Sequence, residues 1–480
     1  MTLERRRQLT LAATIIGSSL AFIDATVVIV ALPTIEEDLD LGLAGEQWVF
    51  LSYSLALAAL YLPAGGIGDR FGRRSTFIWG AAAFALTSLL AGIAPNGGVL
   101  LLARFLQGVA GAFLTTNSLA LLRSVYAEEA GRAVGLWTAW TSVATIGGPS
   151  VGGALVEWIS WRWIFVLNLP LAGLAVALAH YGRCEERLRL RTGRLDLTGA
   201  ALGAIGFGSL TYGVVQGAEE GFDAVWWAFP GAALALAAFV VVERRAREPM
   251  LPFALFGRRN FAAANLETFF VYAGLYGVFV YLTLYIQFLG FTAFETGLIL
   301  TPTSVVMILL AARFGALADK QGPRLWLTLG PAVIGAGSLL FIAVEDRDSF
   351  WVYGVAGMLL FSLGLAMMVA PITATALKSA PSELSGIASG VNSTVSRLGS
   401  LLSIAVIGLV VQLVFAHSEA VPLAADQTDP VLRSASVDAF RAAMLFSAGL
   451  AFAGAAVGAL WVSNEDARAP EQAPATAAGS

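Results

Sequence analysis

Apolar runs long enough to cross a lipid bilayer recur along this chain from residue 9 almost to residue 462. A helix needs about 20 predominantly apolar residues to span the hydrocarbon core. Only 13% of the 480 residues are charged, and the mean hydropathy is +0.75. No stretch between the runs could form a soluble domain. The sequence therefore predicts an all-α, multi-pass membrane protein.

Charged residues and Pro/Gly-rich turns divide the chain into fourteen apolar segments, and we predict that each is a transmembrane helix. The segments lie near 9–32, 46–65, 76–94, 98–122, 133–156, 163–181, 197–217, 224–242, 261–289, 296–317, 325–344, 351–376, 386–414 and 439–462. The ninth is long enough to be tilted in the bilayer or to extend past it.

The distribution of positive charge predicts the orientation of these helices. If the N-terminus is inside, most of the 29 Lys and Arg fall in the two tails and the even-numbered connections, where cytoplasmic loops concentrate them. We therefore expect both termini in the cytoplasm. The basic start resembles a signal peptide, but its apolar stretch is too long, so we expect it to be retained. Arg far outnumbers Lys in an alanine-rich chain, which suits a bacterium with a GC-rich genome and hence its inner membrane.

The sequence lacks the residues that several classes of function need. The single cysteine, Cys184, and the two histidines, His180 and His417, predict no metal cluster. The only lysines are Lys320 and Lys378, and neither completes a P-loop, so ATP is not the energy source within this chain. No nucleophile and base pattern is visible. We expect neither an enzyme, nor a cofactor, nor a nucleic-acid partner.

An internal repeat organises the segments. Residues 65–74 read GGIGDRFGRR after the second segment, and residues 315–324 read GALADKQGPR after the tenth. Six helices on each side of an inserted pair then give two related bundles, which match the major facilitator architecture. We predict bundles at 1–182 and 260–464, a linker with two extra helices at 183–259, and a disordered cytoplasmic tail at 465–480.

The hairpin motif combines glycines that allow close helix contact with charges at the inner surface. We predict that its residues latch one access state; the other explanation is that basic inner loops serve only to set topology. The predicted gating residues of the two copies are Gly65, Asp69, Arg70, Gly72, Arg73 and Asp319. Gln321 and Pro323 depart from the fuller motif, so we expect the first copy to matter more.

Several separate motifs resemble the fourteen-helix drug/proton antiporter family of the major facilitator superfamily. They include LAFIDATVVIVALP (20–33), LLLARFLQGVAGA (100–112), GGPSVGGAL (147–155, where Ala144 replaces a preceding glycine), WRWIFVLNLP (161–170) and LDLTGA (195–200). The resemblance covers nearly the whole chain. It implies a proton-coupled antiporter that exports amphipathic drug-like compounds by alternating access, driven by the proton gradient and acting as a monomer in the bilayer.

Two alternatives remain open at this point. A dedicated exporter of a lipid, fatty-acyl compound or secondary metabolite would use the same machinery, and the sequence barely separates it from a multidrug exporter. A proton-coupled solute symporter is a different class. The antiporter motif and the scarcity of hydrogen-bonding residues in the spans argue against the symporter.

Asp24 is the most informative residue, because a carboxyl group within a spanning helix is costly and usually faces a cavity or a partner. Counted by helical rise, Asp24 lies roughly 12 Å and Arg104 roughly 9 Å from the outer surface. We predict that Arg104 tunes Asp24 as a proton carrier; a permanent buried ion pair is the other explanation. Glu267 is a second candidate proton site, although it could instead snorkel to the surface.

The antiporter motif places Gly148, Pro149, Gly152 and Gly153 in the outer half of the fifth helix. A proline removes a backbone hydrogen bond and glycines permit tight contact, so a kinked gate and plain packing are both consistent with the pattern. Arg397 lies near mid-membrane in a polar patch, where it could contact substrate, meet a coupling carboxyl group or tie helices together. The predicted substrate-cavity residues are Tyr53, Asn117, Asn392 and Arg397.

Overall fold

The computed structural model describes residues 2–126, 130–182, 197–246, 253–381, 384–414 and 430–465, and these residues are helical without any strand. The basic connector at 183–196 and nearly all of the predicted tail lie outside the described residues. The long helices, labelled α1 to α14, are Leu3–Leu39, Gly42–Phe71, Arg73–Gly92, Gly97–Val125, Ala130–Trp158, Asn168–Tyr181, Leu197–Glu220, Ala228–Arg245, Arg259–Phe288, Ala293–Gln321, Pro323–Leu340, Val355–Lys378, Ser385–Val414 and Pro430–Trp461.

Twelve spans in the described part of the chain are long and apolar enough to cross a membrane. Large apolar side chains such as Trp79 and Leu234 are about three-quarters exposed, as lipid-facing residues would be. The predicted segments 133–156 and 224–242 correspond to α5 and α8, which are not among the twelve; α8 carries Glu243, Arg244 and Arg245 in its last turn. The all-helical membrane architecture is thus confirmed, whereas the count of fourteen spans is not.

The two hairpin motifs make the same turn. Gly72 separates α2 from α3 with φ 95°, and Gly322 separates α10 from α11 with φ 97°. Only glycine adopts such angles without strain. A side chain at 322 would also overlap Asn464. We call the end of the molecule that carries these turns the hairpin end, and the end with the turns at Asp40 and Gly290 the opposite end.

The helices pack as two equivalent sets, in which each helix of the first set corresponds to the helix eight places later in the chain. The close pairs α2/α4, α3/α4 and α1/α5 recur as α10/α12, α11/α12 and α9/α13. Likewise α1/α6 recurs as α9/α14, and α3/α6 as α11/α14. The sets α1–α6 and α9–α14 are called the first and second half below. This equivalence agrees with the repeat read from the hairpins.

The halves meet along two seams. Helix α5 packs directly on α10 along one seam, and α2 meets α13 along the other. The inserted pair lies on the second seam, where α7 contacts both α2 and α13, and α8 packs on α7. The inserted helices are therefore attached to both halves.

Candidate functional site in the first half

Asp24 and Arg104 form a buried ion pair between α1 and α4. The Nη1 atom of Arg104 lies 2.5 Å from Oδ2 of Asp24, and both side chains are at most 1% exposed. Helix α4 begins where the Asn96 side chain accepts a hydrogen bond from the Val99 amide, and Arg104 follows about two turns later. The structure thus brings together the two residues that helical rise predicted to share a level.

Three further polar residues complete the network around Asp24. Gln107 and Asn168 donate to Oδ1 of Asp24 over 2.8 and 3.1 Å, and both also donate to the Ser88 hydroxyl. Ser88 in turn donates to the Phe165 carbonyl oxygen. Gln107 and Asn168 lie inside motifs that the sequence displayed, yet nothing in the spacing singled them out. No motif or spacing in the sequence pointed to Ser88.

The rest of the Arg104 environment is neutral. Its Nε donates to the Val49 carbonyl oxygen over 3.1 Å, Nη1 donates to Gln107, and the guanidinium carbon lies 4.4 Å from the centre of the Tyr53 ring. The Nη2 atom is buried without a hydrogen-bond partner. Protonation of Asp24 would therefore leave a buried cation with only neutral contacts, which is strongly unfavourable. Chemically, such an arrangement can couple a proton on Asp24 to the position of Arg104, and it is equally consistent with a permanent buried ion pair.

Tyr53 and Asn117 are fully buried within the first half. The Tyr53 hydroxyl donates to the Ala21 carbonyl oxygen, and the Asn117 amide donates to the carbonyls of Ala64 and Phe113. Asn117 joins α4 to α2 just before the hairpin.

Two predicted polar residues of the second half, Asn392 and Glu267, lie on different sides of helix α9. Asn392 donates to Asn265 and Thr268 on the α13 side of that helix, at 3.3 and 2.9 Å. Glu267 lies on the side that packs on α14, against Gly454. Its side chain is fully buried and neither carboxyl oxygen has a hydrogen-bond partner, so it does not reach the surface. An ionised carboxylate in such a place would be very costly, which favours the neutral acid in this conformation.

The antiporter motif in α5 faces two different neighbours. A side-chain carbon at Gly148 or Gly152 would overlap Thr26 or Val27 of α1, within the first half. One at Gly153 would lie 2.7 Å from the Ala293 carbonyl carbon of α10, in the second half. Pro149 places its own carbonyl against Gly297. The motif therefore packs α5 inside its half and also forms the seam with the other half.

Hydrogen bonds between the halves gather toward the opposite end. Ser150 lies 2.8 Å from the Thr301 hydroxyl, and the Phe294 amide donates to Glu157. Gln287 near the end of α9 donates to the Val30 carbonyl oxygen of α1 over 3.1 Å. The molecule is closed at this end.

The hairpin residues are held mainly by helix ends. Arg73 donates to the Ala120 carbonyl oxygen near the end of α4. Arg74 donates to Ala179 and His180 at the end of α6, and Arg324, its counterpart in the repeat, donates to Ala459 near the end of α14. Such contacts place positive charge at helix C-termini, where it is favourable.

The remaining predicted gating residues occupy the same region. Gly65 approaches Thr116 of α4, and Arg70 is exposed beside the Phe71 ring. Asp319 forms an exposed ion pair of 2.6 Å with Lys378 on α12. The side chain of Asp69 lies outside the described part of the structure.

The sequence model of a protein family, the Major Facilitator Superfamily, matches residues 14–404 of the chain. The chain belongs to this superfamily. Membership confirms the resemblance seen in the motifs and the expectation of a transporter and not an enzyme. The chain also has the major facilitator fold: it superposes on a D-xylose–proton symporter with a TM-score of 0.65 at 14% identity, covering 96% of this chain and 98% of that one. A bacterial homologue of the lysosomal transporter Spinster gives 0.62 at 18%, covering 95% and 96%.

Related major facilitator proteins have names that concern resistance and export. The chain is 36% identical to the multidrug resistance protein Stp of Mycobacterium tuberculosis, over 85% of this chain and 76% of that protein. It is 31% identical to a methylenomycin A resistance protein of Bacillus subtilis, over 83% and 86%, and to a tetracenomycin C resistance and export protein of Streptomyces glaucescens, over 83% and 75%.

Proposed function

We propose that this protein exports amphipathic drug-like compounds across a bacterial inner membrane in exchange for protons. The observation that carries the proposal is the Asp24–Arg104 pair with its buried donors, which is a site for one proton inside the membrane. The names of the relatives support export, because several are resistance or export proteins.

The conformation fits one step of an antiport cycle. If the hairpin end is cytoplasmic, as the charge distribution predicts, the seam at α5 and α10 closes the external side. Asp24 is then ionised and paired with Arg104, as it would be after releasing its proton inward. The next step is substrate binding from the cytoplasmic side. Opening outward separates the pair and exposes Asp24 to the external proton supply.

Fourteen spans follow if α5 and α8 also cross the bilayer, and both termini are then cytoplasmic. The halves, with the bounds 1–182 and 260–464, rock about the substrate as bodies. The proton gradient supplies the energy without a cofactor, and one chain is sufficient. Glu267 is a second proton site, because it is the one fully buried acid in the described part of α9 and α14 and its carboxyl oxygens have no partner.

The test is transport by Asp24→Asn in proteoliposomes with an imposed pH gradient. We expect substrate-dependent proton movement and uphill transport to be lost, while downhill exchange of substrate persists. Asp38→Asn is the matched control, because Asp38 is an acid on the same helix that is exposed and pairs with Arg162. Uphill transport by Asp24→Asn at the rate of the control would overturn the proposal. Glu267→Gln in the same assay reports on the second proton site through the number of protons moved per substrate.

A further inference from the structure

An apolar pocket lies on the seam covered by the inserted helices. Its walls come from α2, α7, α8 and α13, so both halves and the inserted pair contribute. The lining residues include Leu55, Ala58, Phe207, Phe239, Val391 and Leu398. Because α2 and α13 belong to different halves, the pocket changes shape when the halves move.

One polar atom in this pocket has no partner. The Thr394 hydroxyl is buried and makes no hydrogen bond, although Thr394 lines the pocket. Threonines in helices usually donate to the carbonyl four residues earlier, as Thr268 and Thr283 do in this protein. A buried hydroxyl without a partner is costly. The exception at Thr394 therefore points to a group that is supplied from outside the chain.

Arg397 follows Thr394 by nearly one helical turn and is also uncompensated. The described residues place no carboxylate within ion-pair distance of it. The ionisable groups near its guanidinium are four tyrosines of α2 and α9, namely Tyr53, Tyr61, Tyr272 and Tyr276. Neutral phenols do not balance a cation, and an arginine within a span normally has a partner. Arg104 meets that expectation, whereas Arg397 does not.

We propose that Arg397 and Thr394 bind the acidic head group of a lipophilic monoanion, whose apolar chain lies in the pocket between α2, α7, α8 and α13. This inference rests on the proposed export function and narrows its substrates from amphipathic compounds in general to lipophilic carboxylic acids. The guanidinium can hold a carboxylate through two parallel hydrogen bonds, and the threonine hydroxyl supplies a third donor. The inserted helices then form part of the binding site.

The experiment measures equilibrium binding of radiolabelled dodecanoate to the full chain in phosphatidylcholine nanodiscs, with empty nanodiscs as the blank. Dodecanol and dodecyltrimethylammonium have the same chain without the anionic head. We expect dodecanoate to bind about tenfold or more tightly than either, because charge-assisted hydrogen bonds are the strong ones. Arg397→Gln should remove that preference. Arg162→Gln, which changes an exposed arginine at the opposite end, should not.

Three further variants test the contacts to the head group and to the apolar chain separately. Thr394→Val should weaken dodecanoate severalfold and leave dodecanol unchanged, because it removes one donor at nearly constant volume. Ala58→Trp should weaken both ligands, because it fills the pocket. Thermal unfolding of every variant is measured as the control for a retained fold. Arg397→Lys should recover part of the affinity, since it restores the charge without the paired donors.

Unchanged dodecanoate binding by Arg397→Gln, or equal binding of the cationic probe to the wild type, would overturn the inference. These measurements use no pH gradient and so do not depend on proton coupling. A protein that exports lipophilic cations against a proton gradient yet fails to bind dodecanoate retains the proposed function and loses this site. One that binds dodecanoate through Arg397 without proton-driven export shows the reverse.

Discussion

Gly153→Ala is the substitution that most directly tests the seam between α5 and α10. A methyl carbon at this position would lie 2.7 Å from the Ala293 carbonyl carbon and 2.8 Å from Cα of Phe294. Ordinary contacts of such atoms begin at about 3.4 Å, and the Ala293 carbonyl oxygen is nearer still, so the two helices must separate by at least roughly 0.7 Å. Backbone atoms cannot rotate away as a side chain can. The substitution therefore acts against closure of the opposite end.

The size of the effect follows from the cost of overpacking, which is about 1–3 kcal/mol for an added carbon in a tight contact. About 1.4 kcal/mol corresponds to a tenfold change in an equilibrium constant. The population of the closed conformation should therefore fall roughly 5- to 150-fold relative to the open one. Alanine also favours the helix over glycine by about 1 kcal/mol, but that gain is the same in both conformations.

Distances between spin labels at Ile159 and Trp351, exposed residues of the two halves at the opposite end, would report the closure. The single cysteine, Cys184, is first replaced by serine. Gly153→Ala should populate a longer distance. Gly147→Ala is the matched control, because a carbon there meets no atom within 4 Å. Gly148→Ala contacts Thr26 in the same half and should affect stability alone. A wild-type distance distribution in Gly153→Ala would show that this contact does not control closure.

Three smaller effects are expected from substitutions at other contacts. Gln287→Leu removes the hydrogen bond to the Val30 carbonyl oxygen. It should shift the equilibrium toward the conformation with the longer label distance by about 1 kcal/mol. Asn168→Leu removes a donor from Asp24 and leaves a buried acceptor with one hydrogen bond fewer, so we expect a stability loss of about 1–3 kcal/mol by thermal unfolding. Lys378→Gln breaks an ion pair whose side chains are about 60% exposed, so unfolding should change by less than about 1 kcal/mol; a larger loss would indicate a contact beyond Asp319.

The sequence predicted that Asp24 and Arg104 meet, because the cause of that contact is local. An aspartate and an arginine in apolar segments must find partners, and the constant rise of a helix fixes their depth. Which other polar residues join them depends on the rotation of each helix and on the packing of α3 and α6. Rotation cannot be read from one chain, so the contributions of Ser88 and Asn168 emerged only from the structure.

The second half shows the same limit more clearly. Asn392 and Glu267 lie in the expected segments, but the turn of α9 directs its polar residues to different neighbours. The repeat could be predicted from the sequence because its glycine turns leave a clear pattern. The matched role of Arg74 and Arg324 could not be predicted, since a basic residue near a membrane surface is expected for topology alone.

Helix α7 touches both halves, and this has a mechanical consequence. If the halves rock against each other as proposed, α2 and α13 change their angle, so a helix that contacts both must slip along at least one of them. Its interface with α2 includes Gly208, which lies against Leu55 without a side chain of its own to interlock. Smooth contacts of this kind suit a sliding motion of small amplitude. The inserted pair would then slide by a small amount between the halves in each cycle.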